Sequence, residues 1–127
     1  MGYRDIIAAH IIKAMPDDVT LFWDNITAHT RRQQSPFITI SISEIAAKQT
    51  IAYFLQGMVS FTISAPMGTG PQFHDEMAAL IRKEICFTNI GFLSLLDRRT
   101  SPFEAVGGYS HLVIEVDFIH YDGQAYG

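Results

Sequence analysis

The sequence predicts an α+β fold, an antiparallel-rich mixed sheet with two main helices packed on one face, in a single domain. Three observations lead there. The segments Tyr3 to Met15 and Phe73 to Ile85 carry apolar residues at helical spacing. Ile38 to Ile42, Val59 to Ile63 and Leu112 to Phe118 alternate apolar with polar residues, as a strand with one wet face does. In a chain of 127 residues two independently cored domains would each be marginal, so a single core over residues 1–127 is expected.

Taken in order, Ile7, Ala8, Ile11, Ile12 and Met15 form one stripe of a first helix, with Asp5 suited to the positive end of its dipole and Pro16 ending it. Val19 to Trp23 is a short strand closed by Asp24-Asn25. The polar run from Ile26 to Gln34 lacks apolar anchors and reads as a long loop, expected to be mobile in an isolated subunit and ordered in an assembly, as is the connection Glu44 to Gln49. Between them lies the strand around Ile38 to Ile42. A return strand from Ile51 to Ala65 is expected to bulge at Gln56-Gly57. Pro66 stops it, and Pro71 opens a second helix striped by Phe73, Met77, Leu80, Ile81 and Ile85. Asn89-Ile90-Gly91 breaks that pattern, and Phe92 to Leu96 is a short strand. A loop through Ser101-Pro102 and Gly107-Gly108 leads to the last strand, Tyr109 to Tyr121.

Charged residues are 17% of the chain, below the usual figure of about 25%, while 48% are apolar. A small domain so poor in charge is expected to bury part of its surface against copies of itself. The net charge of -4 and the lack of a basic stripe argue against nucleic-acid binding. The pairs Arg31-Arg32 and Arg98-Arg99 are too small for that and read as solvated loop or strand-edge charges. One cysteine, Cys86, flanked by Ile85 and Phe87, is expected to be a buried thiol in a reducing compartment. No signal peptide and no membrane span is expected.

No motif carries catalytic chemistry. Met67-Gly68-Thr69-Gly70 lies between a strand and a helix but lacks the Gly-Lys-Ser/Thr of a phosphate loop. Gly108-Tyr109-Ser110-His111-Leu112 approaches a nucleophile elbow, yet Leu112 replaces the second glycine and a strand follows. His111, Glu115 and Asp117 share one face of the last strand, with His120 on the other. Positions two apart are separated by roughly 7 Å, so His111 and Asp117 cannot share one metal ion without a bulge. His74-Asp75-Glu76 has no second histidine at zinc-helix spacing, and His10 and His29 stand alone. The chain is therefore expected to need no metal or cofactor and not to be an enzyme.

Several segments in sequence carry a resemblance: the first helix ending at Met15-Pro16, Phe22-Trp23-Asp24-Asn25, Pro36-Phe37-Ile38-Thr39-Ile40 and Gly57-Met58-Val59-Ser60-Phe61-Thr62-Ile63. After them come Ala65-Pro66-Met67-Gly68-Thr69-Gly70 with its helix, and Val116-Asp117-Phe118-Ile119-His120-Tyr121. In order and spacing they resemble the tail-terminator, or tail-completion, proteins of long-tailed bacteriophages. The loop after Asn25 departs from that pattern, with Thr27-Ala28-His29-Thr30 where an aromatic or proline is common. The resemblance implies a structural subunit of a phage or prophage tail, located in the virion tail and, during assembly, in the host cytoplasm, that forms a hexameric ring. Its partners would be copies of itself, the tail tube protein whose polymerisation it ends, and the head-tail connector that docks on it. Arg31, Arg32, Arg98 and Arg99 are the candidates for the subunit boundary. The alternative is a non-viral interaction or small-ligand-binding module without catalysis.

Overall fold

A computed structural model describes residues 2–23, 36–45, 54–68, 71–91, 93–101 and 104–121. The expected loop from Ile26 to Gln34 lies outside the described residues, as do residues 46–49 of the expected connection Glu44 to Gln49, whereas Glu44 and Ile45 belong to a strand, paired with Gly57 and Gln56.

The first helix, α1, spans Tyr3–Ala14 with Asp5 in its first turn and Lys13 in its last. It ends because Met15, ahead of Pro16, turns extended at φ -84° and ψ 148°, the conformation that proline imposes on the residue before it. Ile7 and Ile11 are buried, one turn apart, together with Met15. Ile12, expected in the same stripe, is 57% exposed. Five residues carry the chain about 140° around a helix, so Ile12 cannot share a face with Ile7.

The second helix, α2, spans Gln72–Glu84, with Pro71 as its cap. His74, Met77 and Ile81 form its buried row, while Phe73 and Leu80 pack at the edge of the core.

Seven strands form one mixed sheet among the described residues: β1 (Thr20–Trp23), β2 (Phe37–Ile45), β3 (Phe54–Pro66), β4 (Thr88–Ile90), β5 (Leu93–Thr100), β6 (Glu104–Val106) and β7 (Tyr109–Tyr121). The order is β1-β2-β3-β7-β5-β4, with β6 also paired to β7. β1 runs parallel to β2. The other pairings are antiparallel. β7 is long enough to take two partners on one edge: β5 along its C-terminal part and β6 along its first three residues.

Two short strands were hidden in segments that read as breaks and loops. Asn89-Ile90 belongs to β4, which folds back on β5 through Gly91 at φ 58°. β6 returns to β7 through Gly107 and Gly108, both at positive φ, the backbone that a two-residue hairpin requires and glycine supplies.

The expected bulge at Gln56-Gly57 is absent. β3 keeps unbroken register there with both neighbours, Glu44 opposite Gly57 on one side and Phe118 on the other. The bulge lies in β5 instead: Leu95 faces Phe118 and Arg98 faces Val116, so three residues of β5 span two of β7.

The inward rows are Ile38, Ile40 and Ile42 of β2, Val59, Phe61 and Ile63 of β3, and Leu112, Ile114, Val116 and Phe118 of β7. They join Ile7 and Ile11 of α1 and Met77 and Ile81 of α2 in one buried cluster. Both helices thus cover the same face of the sheet, and hydrophobic burial across that contact supplies most of the stability.

Candidate interaction surface

The face away from the helices is built by the alternate residues of the same strands. Its middle rows are Thr39 and Ser41 of β2, Met58, Ser60 and Thr62 of β3, and Val113, Glu115 and Asp117 of β7, all half-buried. None of them joins the buried core cluster. The surface is uncharged through β2 and β3, because the pleat sends Ile38, Ile40 and Ile42 inward and leaves Thr39, Ser41, Ser60 and Thr62 outside.

Charge gathers at its β5–β7 side. Arg99 grips Asp117 with both guanidinium nitrogens, Nη1 to Oδ2 at 2.7 Å and Nη2 to Oδ1 at 3.1 Å, and its Nε lies 3.8 Å from Glu115 Oε1. The hydrogen bonds to Asp117 raise the Arg99 pKa further above its ordinary value. Glu115 and Asp117, considered as metal ligands from the sequence, are therefore counterions of one arginine. His111, the third member of that trio, takes part elsewhere: its Nδ1 lies 2.7 Å from Ser64 Oγ, its cross-strand neighbour. Among the described residues no group of three His, Cys, Asp or Glu is placed to hold a metal ion.

The Ser64–His111 pair has the atoms of a nucleophile and its base. Ser64, however, is 1% exposed, so its oxygen is closed to substrate and the bond ties β3 to β7. Ser110, in the former elbow motif, offers its carbonyl oxygen to His74 Nε2 at 2.8 Å, which fastens α2 to the start of β7. His120 points the other way, as expected, and stacks against Tyr3 of α1 at 5.8 Å between ring centroids. His10 Nε2 lies 2.8 Å from the carbonyl oxygen of Glu84 and links the two helices.

Of the boundary candidates, Arg31 and Arg32 lie outside the described residues. Arg98 and Arg99 are neighbours that face opposite ways. Without the bulge Arg99 would turn toward the helices and Arg98 away from them; the extra residue reverses both. Arg98 stands on the side of buried Val116 and reaches the exposed side of α2. There it borders a groove of about 480 Å³ with Asp75, Ala78, Ala79, Arg82 and Lys83. Its Nε is buried with no hydrogen-bond partner among the described residues, and its Nη1 is 4.0 Å from Asp97. This groove is not legible in the sequence. Asp75, Ala79 and Arg82 fall on one helical face, but the approach of Arg98 depends on a bulge that no residue type announces.

These features define an α+β domain whose sheet is covered by helices on one side and, among the described residues, carries no helix on the other, a face that is uncharged through β2 and β3 and charged at β5–β7. No protein-family model matches the sequence, and no curated protein matches it. Nine solved chains match it in structure. One, which carries no functional name, superposes with a TM-score of 0.66 at 14% identity over 94% of this chain and 96% of its own. At that identity the likeness is one of fold.

Proposed function

We propose that this chain is a structural subunit of a phage or prophage tail that caps the tail tube as a ring, ends tube polymerisation and presents the surface on which the head connector docks. The observation that carries this reading is the face of the sheet that bears no helix among the described residues, Thr39, Ser41, Ser60 and Thr62, beside β1 and β4, the edge strands of the sheet among those residues. Covering charged groups costs desolvation that pairing rarely returns, whereas short hydroxyl side chains pass from water to a neighbouring protein at little cost. Such a face suits repeated packing against identical subunits. A protein that ends a polymer must also use a rotation that closes, because a contact that did not close would itself grow a filament. The net charge of -4 favours a channel to which DNA does not adhere.

Light scattering and negative-stain microscopy over a concentration series, with and without tail tubes of the same virion, test the proposal. Closed rings on tube ends are the expected result. Open filaments, or no association when tubes are present, would overturn it. A monomer indifferent to tubes is what an interaction or ligand-binding module would give.

A further inference from the structure

The groove between α2 and β5 is an unusual place in a chain with more acids than bases. Arg82 and Lys83 are exposed on its helix side, Arg98 closes its sheet side, and Asp75 is the single acid in its lining. Neither Arg82 nor Lys83 has an ion pair among the described residues, and Arg98 brings a buried Nε without a partner. The bulge in β5 is what aims Arg98 here; bulges re-aim side chains next to working sites. Three cations converging on a floor made by Ala78 and Ala79 form a receptor for paired carboxylates on a small apolar support.

Of the two adjacent acidic pairs among the described residues, Asp75-Glu76 lies on α2 itself, where Glu76 accepts a hydrogen bond from Gln72 Nε2 at 2.9 Å. The other, Asp17-Asp18, stands exposed in the turn that follows α1. That turn is held by the Val19 N–H donating to the Pro16 carbonyl at 3.2 Å, and the proline ring fixes its entry. A preorganised turn loses little entropy on docking. No ion pair engages Asp17 or Asp18 among the described residues of their own chain. The net charge of -4 disfavours a nucleic-acid occupant.

We infer that the groove formed by Arg82, Lys83 and Arg98 receives the Asp17-Asp18 turn of a second copy of this chain. The inference rests on the ring reading: each subunit offers one groove and one turn, so the contact is head-to-tail, the kind that makes a ring when its rotation closes. Pro16 packs on Ala78 and Ala79 while the two carboxylates meet the three cations. The contact weakens with added salt, because its charges lie at the surface when free.

The test uses two charge reversals at exposed positions, Arg82→Glu with Lys83→Glu in the groove, and Asp17→Lys with Asp18→Lys in the turn. Assembly on tail tubes is read by microscopy and sedimentation, and folding by melting temperature. Each variant alone is expected to lose rings, with association weakened at least tenfold, while keeping the wild-type fold. Arg82→Gln with Lys83→Gln is expected to weaken rings as well without placing acids at the end of α2. Mixed in equal amounts, the two reversal variants are expected to regain even-membered rings, since each groove then meets a turn of opposite sign. Rings formed by either variant alone with wild-type concentration dependence would overturn the inference and leave the ring reading standing. So would a mixture that fails to assemble, or a groove variant that fails where the turn variant succeeds. Wild-type chains that never form rings would overturn both.

Discussion

The ring of Phe118 occupies the space where a side chain at position 57 would sit: a Cβ on Gly57 would fall 2.3 Å from Phe118 Cζ and 2.4 Å from the carbonyl oxygen of Ser43. The two residues face each other across β3 and β7. An aromatic ring laid over a strand glycine covers the backbone that glycine exposes, so the pair restores the core contact that a missing side chain forfeits.

Gly57→Ala is therefore expected to destabilise the fold by at least about 3 kcal/mol, the upper end of the usual cost of overpacking, because one clash is with backbone that cannot swing aside. Urea unfolding measures it. In a Phe118→Ala background the same substitution should cost less, and the coupling in that double-mutant cycle reports the ring contact separately from the Ser43 contact. Equal costs in both backgrounds would mean that the ring moves freely.

Arg98 and Arg99 share one expected role at the subunit boundary, and the fold divides it. Reversing Arg99 puts a third acid beside Glu115 and Asp117, so Arg99→Glu should lower the melting temperature of the subunit, by less at high salt. Arg98→Gln should leave the melting temperature near the wild-type value, since the buried Nε makes no hydrogen bond, while weakening assembly. If Arg99→Glu left melting unchanged, the bidentate contact with Asp117 would contribute nothing to the fold.

Much of this architecture was legible because hydrophobic period is a local signal. The inward isoleucines of β2, the alternation of β7 and the Met77–Ile81 row of α2 could be read directly from spacing. β4 and β6 could not, since three residues such as Thr88-Asn89-Ile90 are too few to show a period, and their pairing comes from β5 and β7. Gly57 reads as a bulge from its residue type alone, whereas the reason for a glycine there lies across the sheet, in Phe118. His74 looked like a polar opening of α2. Its burial depends on the Ser110 carbonyl, 36 residues further along the chain. The candidate surface was legible as alternating serine and threonine, whereas the α2–β5 groove required the bulge and so required the fold.

Ser64 and His111 allow the expectation of no hydrolytic chemistry to be tested. The buried Oγ of Ser64 should resist a fluorophosphonate probe under conditions that label an authentic serine hydrolase, with mass spectrometry as the readout. Ser64→Ala should instead cost about 1 kcal/mol of stability, the usual worth of a hydrogen bond. Labelling of Ser64 in the folded protein would show a site open to substrate and would undo the structural assignment.

Stability should also fall at alkaline pH through two groups whose protonated forms the fold prefers. Burial pushes the Cys86 thiol above its ordinary value of 9.0. Burial, and then the hydrogen bond that the Tyr3 hydroxyl donates to Glu44, push the Tyr3 phenol above 10.0. Both are acids whose folded pKa is raised, so between the unfolded and folded values the native state holds protons that the unfolded chain has released. Their contribution is fully present below the ordinary values and is lost as pH rises through the folded ones. Urea midpoints measured from pH 7 to 11 should stay level up to about pH 8, decline as the thiol of the unfolded chain ionises, and decline more steeply beyond pH 10. Cys86→Ala should remove the first part of the decline and Tyr3→Phe the second. The thiol of the native protein should also react slowly with a disulfide reagent at pH 8 and reach full reactivity on unfolding, because attack requires the thiolate that burial suppresses. A Tyr3→Phe, Cys86→Ala double variant that kept the wild-type alkaline slope would place the titrating groups elsewhere.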